Sequence, residues 1–268
     1  MSFWDHLEEF RWTLIRVIIA VFVLSIIGFI LIPHIFDSVI LAPRNSNFVT
    51  YRFFNVAGEY LPFLPDFSAE SFNVDIININ MTTQFMTYIS SSFAFGFLLT
   101  IPFLLYEIWK FIRPALYENE AKGVKTAFGF GGFMFVIGCL VGYFIVFPLI
   151  FRFLITFELS ESIVNTISLD SYMSNFYTLI LIMGLVFEMP LVFWLLSNLG
   201  LIYRSFFRKY RRHAVVGSLI AAALITPSGD PFSLFIVTIP IYALWEISAF
   251  VVKKDPPEDE EDLPAIID

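Results

Sequence analysis

A single cysteine, three histidines and little charge leave this chain without most of the side chains from which reactive sites are built. Cys139 stands alone, so no internal disulfide can form, and its apolar surroundings make it a small packing residue. His6, His34 and His213 fall one to a region with no ligand spacing, so neither a metal nor a cofactor is expected. No nucleophile is placed with a base, and the chain does not read as an enzyme. Charged residues make up only 15% of the 268, against about a quarter in ordinary soluble domains, which excludes a water-soluble globular fold. A cleavable leader is missing as well. Asp5, Glu8 and Glu9 are wrong for a basic n-region, and Trp12–Ile32 is too long for the apolar core of a signal peptide.

Apolar residues are abundant. They reach 58% of the chain, aromatics 19%, and the mean hydropathy is +0.78. Crossing a bilayer takes roughly 20 apolar residues per helix. The first span is expected over Trp12–Ile32, ended by Pro33, and the second over about Phe85–Tyr106. A third is expected over about Ala127–Phe147, stopped by Pro148, and the fourth over Met173–Asn198. Two shorter pieces follow, His213–Ile225 and Phe232–Val252, separated by Thr226-Pro227-Ser228-Gly229-Asp230-Pro231. The predicted fold is an all-α integral membrane protein with six transmembrane helices, the last two short. Residues 1–252 form the membrane domain, with an external cap loop at about 33–80, and 253–268 form a disordered acidic tail.

Lysine and arginine set the orientation. With six spans, Arg44, Arg52 and Arg152 fall on one side, leaving 13 of the 16 basic residues on the other. Both termini are therefore expected in the cytoplasm. The net charge of −8 owes much to Asp255–Asp268, a solvated end rather than a partner signal. No nucleic acid is expected as a partner. Arg211-Arg212 before an apolar run reads as positive-inside anchoring.

Glu188 interrupts a stretch, Met173–Asn198, that otherwise carries no charge. A carboxylate at such depth is costly, and normally faces a partner or a wet cavity. The residues alone leave two readings open: a groove-lining acid, or one that is protonated or reaches an interface. Gly138 and Gly142 form a GxxxG, and Ser92 with Gly96 a weaker small-xxx-small pair, both signs of close helix packing. The long segment Pro33–Asn80 is rich in aromatics, and Val74–Ile79 alternates weakly, as a short strand would.

Several motifs recur in order along the chain: His6-Leu7-Glu8-Glu9-Phe10-Arg11; Phe111-Ile112-Arg113-Pro114-Ala115-Leu116-Tyr117-Glu118-Asn119-Glu120; Phe187-Glu188-Met189-Pro190; and Thr226-Pro227 with Asp230. Together they resemble the TatC family, the multispanning subunit of the twin-arginine protein translocase, over Phe3 to about Val252. The resemblance implies a receptor for export signals bearing two consecutive arginines, which supports transport of folded proteins. It implies signal contacts at Glu9 and Glu120, with Arg11, Phe111, Pro114, Leu116 and Tyr117 on neighbouring family positions. Pro43 matches an external-loop proline, and Asp230 the acid before the last span. Single-span TatA and TatB type subunits, self-association and membrane lipid are implied partners, in the cytoplasmic (inner) membrane. Departures are Glu118, where relatives are often basic or neutral, Leu234, where some carry glutamine, and a longer external segment.

The chemistry suits that role. Arginine presents a planar, permanently charged fork that a carboxylate meets with two parallel hydrogen bonds. Two adjacent arginines call for two separated carboxylates at the water boundary. From the residues alone, Glu8, Glu9, Glu118 and Glu120 also read as solvated charge balanced by Arg11 and Lys122. The alternative function is a proton-coupled secondary transporter using Glu188, since helices broken near Pro190 and Pro227 fit such folds.

Overall fold

The computed structural model describes residues 3–58, 74–113, 118–157, 159–160 and 166–255; within these, the backbone alone is described at 3, 56–58, 118–123 and 125. Helices account for nearly all of it: α1 (Phe3–Ile35), α2 (Val49–Gly58), α3 (Thr83–Ile112), α4 (Glu118–Val141), α5 (Phe147–Thr156), α6 (Leu169–Val186), α7 (Met189–Asn198), α8 (Arg204–Lys209), α9 (Arg211–Ile225) and α10 (Pro231–Val251). Among the described residues, five helical stretches are long and apolar enough to cross a membrane: Trp4–Arg44, Thr83–Ile112, Thr126–Thr156, Leu169–Asn198 and Pro231–Val251. Ile18, Ile19, Phe22, Ile26 and Ile30 lie exposed along α1, a surface suited to lipid rather than water.

Of the two pieces expected to be short, α9 has 15 residues and reaches about 22 Å, below a hydrocarbon core of about 30 Å. By contrast α10, with 21 residues, is long enough to span. These last two helices form a hairpin. Arg211 at its open end donates from Nε and a terminal nitrogen to the two Glu246 oxygens at 2.6 and 2.9 Å.

Two prolines expected to end spans do not. Helix α1 runs through Pro33 to Ile35 and passes into a π-helical turn, Phe36–Ile40. Proline takes away the amide that would bond the carbonyl four residues earlier. For Pro33 that carbonyl belongs to Phe29, and the Tyr88 hydroxyl donates to it. Pro148 likewise lies inside a continuous stretch, α4, a π turn at Gly142–Val146 and α5. Its orphaned carbonyl is that of Phe144, which accepts from the Thr50 hydroxyl of α2. A donor from elsewhere in the chain replaces each missing one, and the helices continue.

The small-residue motifs are consumed inside the chain. A Cβ at Gly96 would lie 2.6 Å from the Ser25 amide nitrogen, and one at Gly28 2.9 Å from the Ser92 carbonyl, so α1 and α3 meet backbone to backbone. Gly138 and Gly142 do the same for α4 against α6: added Cβ atoms would come 2.6 Å from the Met183 carbonyl and 3.0 Å from the Ile180 Cα. Cys139 is buried beside Gly184 and packs as expected.

At the end of the bundle opposite Glu9, a short strand β1 (Ile76–Ile77) pairs in parallel with β2 (Ile167–Ser168). The first lies within the stretch where alternation suggested a strand; its partner carried no such signal. Tyr51, fully buried, donates to the Pro43 carbonyl at 2.9 Å and the Pro148 carbonyl at 3.3 Å, while Arg152 sits over its ring at 5.4 Å. Tyr172 donates to the Ile40 carbonyl at 2.6 Å. Burial pushes the Tyr51 phenol well above its usual range, so it remains a donor.

Candidate functional site

The start of α1 packs against the end of α3, and this corner gathers the first group of candidate residues. His6 stacks on Phe111 with ring centroids 4.2 Å apart, and Phe10 leans on the same ring at 5.7 Å. Glu9 is half-buried there, its side chain 38% exposed. Arg11 points outward, its guanidinium 5.6 Å from the Trp12 ring. Pro114, Leu116 and Tyr117 lie outside the described residues. Glu120 falls in the first turn of α4, where the backbone alone is described.

Two further charges join this corner. Arg16 lies seven residues after Glu9, two helical turns on and on the same face. Its Nε donates to Glu107 Oε2 at 2.7 Å, and a terminal nitrogen donates to the Thr13 hydroxyl at 3.0 Å. The same nitrogen reaches Glu9 Oε1 only at 3.5 Å, the far limit of a hydrogen bond. The Glu107 side chain is 4% exposed and that of Arg16 32%. Glu107 is thus a buried acid paired with Arg16, whereas Glu9 is barely engaged. Removing one partner of a buried pair typically destabilises by about 3–5 kcal/mol, because the other charge is left uncompensated. Sequence reasoning missed both residues. Arg16 counted only among the positive-inside charges, and Glu107 fell in the connection after the second span. The i, i+7 spacing from Glu9 to Arg16 was the available signal.

Glu188 sits deeper. The fourth span is not one helix: α6 ends at Val186, and Phe187 and Glu188 form a turn before α7. Pro190 lacks the amide that would continue the ladder to Val186, which accounts for the break. The residue is only 8% exposed, and neither of its oxygens has a hydrogen-bond partner among the described residues. A Cβ at Gly131 would come 2.8 Å from Glu188 Oε2 and 2.5 Å from Leu191 Cδ2, so the bare glycine makes room for the acid. Leu191 also lines an apolar cleft of about 280 Å³ with Phe130, Pro190, Trp194 and Val251.

The remaining two candidates are structural anchors at the opposite end. Pro43 is buried in a 3₁₀ turn, Ala42–Arg44, and its carbonyl receives the Tyr51 hydroxyl. Asp230 caps α10. Its Oδ1 accepts the Ser233 amide at 2.8 Å, and its Oδ2 accepts the Ser228 and Ser233 hydroxyls at 2.6 and 2.5 Å. Burial alone would raise this carboxyl, but those hydrogen bonds outweigh it and hold Asp230 below its usual range. The transporter alternative gains no relay from this arrangement. Among the described residues the buried carboxylates are Glu107 and Glu188, and Glu107 is paired with Arg16.

Comparison with known proteins agrees with the arrangement of these motifs. Residues 5–240 match the family described as Sec-independent protein translocase protein (TatC). The Sec-independent protein translocase protein TatC of Blattabacterium sp. subsp. Periplaneta americana is 37% identical over 252 residues, 94% of each chain. That of Deinococcus radiodurans is 30% identical over 261 residues, 96% of this chain and 88% of the relative. A crystal structure of the twin-arginine translocase receptor TatC superposes with a TM-score of 0.70 at 30% identity, covering 92% of this chain and 97% of that one. With this match across nearly its whole length, this all-α, multi-pass membrane protein belongs to the TatC family of Sec-independent protein translocase proteins.

Proposed function

We propose that this protein is the signal receptor and a core component of a twin-arginine translocation system, in which Glu9 and Glu120 read the paired arginines of an export signal. One observation carries the reading. Glu9 stands half-exposed where α1 packs on α3, next to Phe10, which leans on Phe111, and among the described residues its one hydrogen bond is the long contact of Oε1 with Arg16. A carboxylate held in place but not consumed is what an incoming guanidinium requires. In this reading Arg11, Phe111, Pro114, Leu116 and Tyr117 also contribute to signal binding, as the family resemblance implies.

The apolar segment of a signal follows its arginines, so it enters the bilayer beside this corner. Glu188 and the cleft along Pro190, Leu191 and Trp194 offer a groove at that depth. Pro43 and Asp230 support the opposite end by holding their turns. The partners in this reading are signal peptides of folded cargo, single-span TatA and TatB type subunits, further copies of this chain, and lipid. The chain crosses the cytoplasmic membrane six times with both termini inside; 1–252 is the membrane domain, about 33–80 its external cap, and 253–268 a solvated tail.

The test is crosslinking of a twin-arginine signal peptide to purified variants in detergent at fixed salt. A charge-assisted hydrogen bond contributes about 1.5–3 kcal/mol, or roughly ten- to a hundredfold in affinity. Glu9→Gln and Glu120→Gln should each weaken capture by that order at unchanged protein level. Lysine pairs in the peptide should bind more weakly than arginine pairs. Wild-type capture by the double variant would sink the receptor site.

A further inference from the structure

We propose that Arg16 is an internal competitor for Glu9, and that Glu107 keeps the site open by holding Arg16 away. This rests on the receptor reading of Glu9. The geometry is unequal in a telling way. Arg16 lies between two carboxylates on its own and the neighbouring helix, 2.7 Å from Glu107 and 3.5 Å from Glu9. The nearer acid is buried, where water does not weaken the pair, and the farther one is open to solvent. Thr13 adds a third anchor at 3.0 Å from the nitrogen that faces Glu9. Arg16 is therefore drawn inward, and only loosely touches the residue that faces the cytoplasmic corner.

Charge bookkeeping gives the consequence. Glu9, Arg16 and Glu107 sum to one negative charge, which a single signal guanidinium neutralises. If Glu107 loses its charge, Arg16 is released toward Glu9, only 3.5 Å away, and the remaining pair is neutral. An arriving arginine then has to displace a guanidinium from Glu9 rather than meet a free carboxylate. Glu107 is thus a positioning residue: it never touches the signal, yet it sets how available Glu9 is.

The decisive measurement is the affinity of a synthetic peptide, two consecutive arginines followed by an apolar segment, for the full-length protein in detergent. Glu107→Gln should weaken binding by about tenfold, the loss expected when one charge-assisted contact must first be broken. Adding Arg16→Gln to that variant should restore binding toward wild type, because Glu9 again stands alone with its charge. A merely structural role for the Arg16–Glu107 pair predicts the opposite, a double variant at least as weak as the single one. Should Glu107→Gln fail to accumulate, Glu107→Asp decides. It keeps the charge but withdraws the carboxylate by one methylene, and should give a smaller loss in the same direction, again relieved by Arg16→Gln.

Unchanged binding in Glu107→Gln, or in Glu107→Asp where that variant decides, overturns the proposal. So does failure of the second substitution to restore binding. Failure of the receptor reading looks different: Glu9→Gln then binds as wild type, whatever Glu107 does.

Discussion

Both carboxylate oxygens of Asp230 are already engaged by Ser228 and Ser233, while among the described residues those of Glu188 have no partner and Glu9 keeps one oxygen free. Identical chemistry therefore serves three purposes, and only the neighbours tell them apart. For Asp230 the consequence is stability. Asp230→Ala should destabilise the protein by about 0.5–2 kcal/mol, and Asp230→Asn by much less, because asparagine caps helices about as well. The thermal midpoint in detergent reads this directly. A carboxyl held below its ordinary value of 3.8 stabilises the fold at pH above that value. Its contribution is then lost as pH falls through the depressed folded value, so the gap between wild type and Asp230→Asn should change only in that acid range. Glu9 was legible as a candidate because it lies in a dense local motif. The pair beside it was not, since Arg16 and Glu107 are 91 residues apart in sequence and meet only through the close approach of α1 and α3.

At Pro33 and Pro148 helix continuity is supported by donors that local sequence does not contain. Trp12–Ile32 and Ala127–Phe147 were placed correctly by their apolar runs, but Pro33 and Pro148 marked false ends. The hydroxyls that repair those ladders belong to Tyr88 and Thr50, 59 and 94 residues distant from the carbonyls they serve. Pro102 and Pro240 also lie inside continuous helices, α3 and α10, whereas at Pro190 the helix breaks. Thr50→Val removes the buried hydroxyl with little change of shape, and should destabilise by about 0.5–1.5 kcal/mol, the net contribution of one hydrogen bond. Thr50→Ser should lose far less. In a Pro148→Ala background the alanine amide can bond the Phe144 carbonyl itself, so the loss from Thr50→Val should largely disappear. Comparing the four thermal midpoints of that cycle checks the assignment; an unchanged loss in the alanine background refutes it.

For the molecule as a whole, the proposed orientation, with both termini inside, rests on the distribution of lysine and arginine. On a Cys139→Ala background, Asn47→Cys and Asn80→Cys should react with an impermeant thiol reagent in intact cells, and Leu201→Cys should not. All three positions are solvent-accessible, so accessibility within the fold does not confound the result. Labelling at Leu201 alone would reverse the topology. The membrane class, the position of the spans and the packing role of the glycine motifs were legible because each rests on short-range periodicity. The pairing of β1 with β2 and the docking of α2 were not, since each depends on residues far apart in the chain; the break beside Glu188 was signalled locally by Pro190.

That docking also has a dimension in time. Thr50 leaves the ribosome 94 residues before its acceptor, Phe144, which at about 5–20 residues per second is a wait of roughly 5–20 s. The aromatic segment around Tyr51 therefore spends its first seconds without the surface that will bury it. It settles only when the Pro148 region arrives, so a slow stretch of translation between them prolongs the interval in which this part of the newborn protein is open to proteolysis.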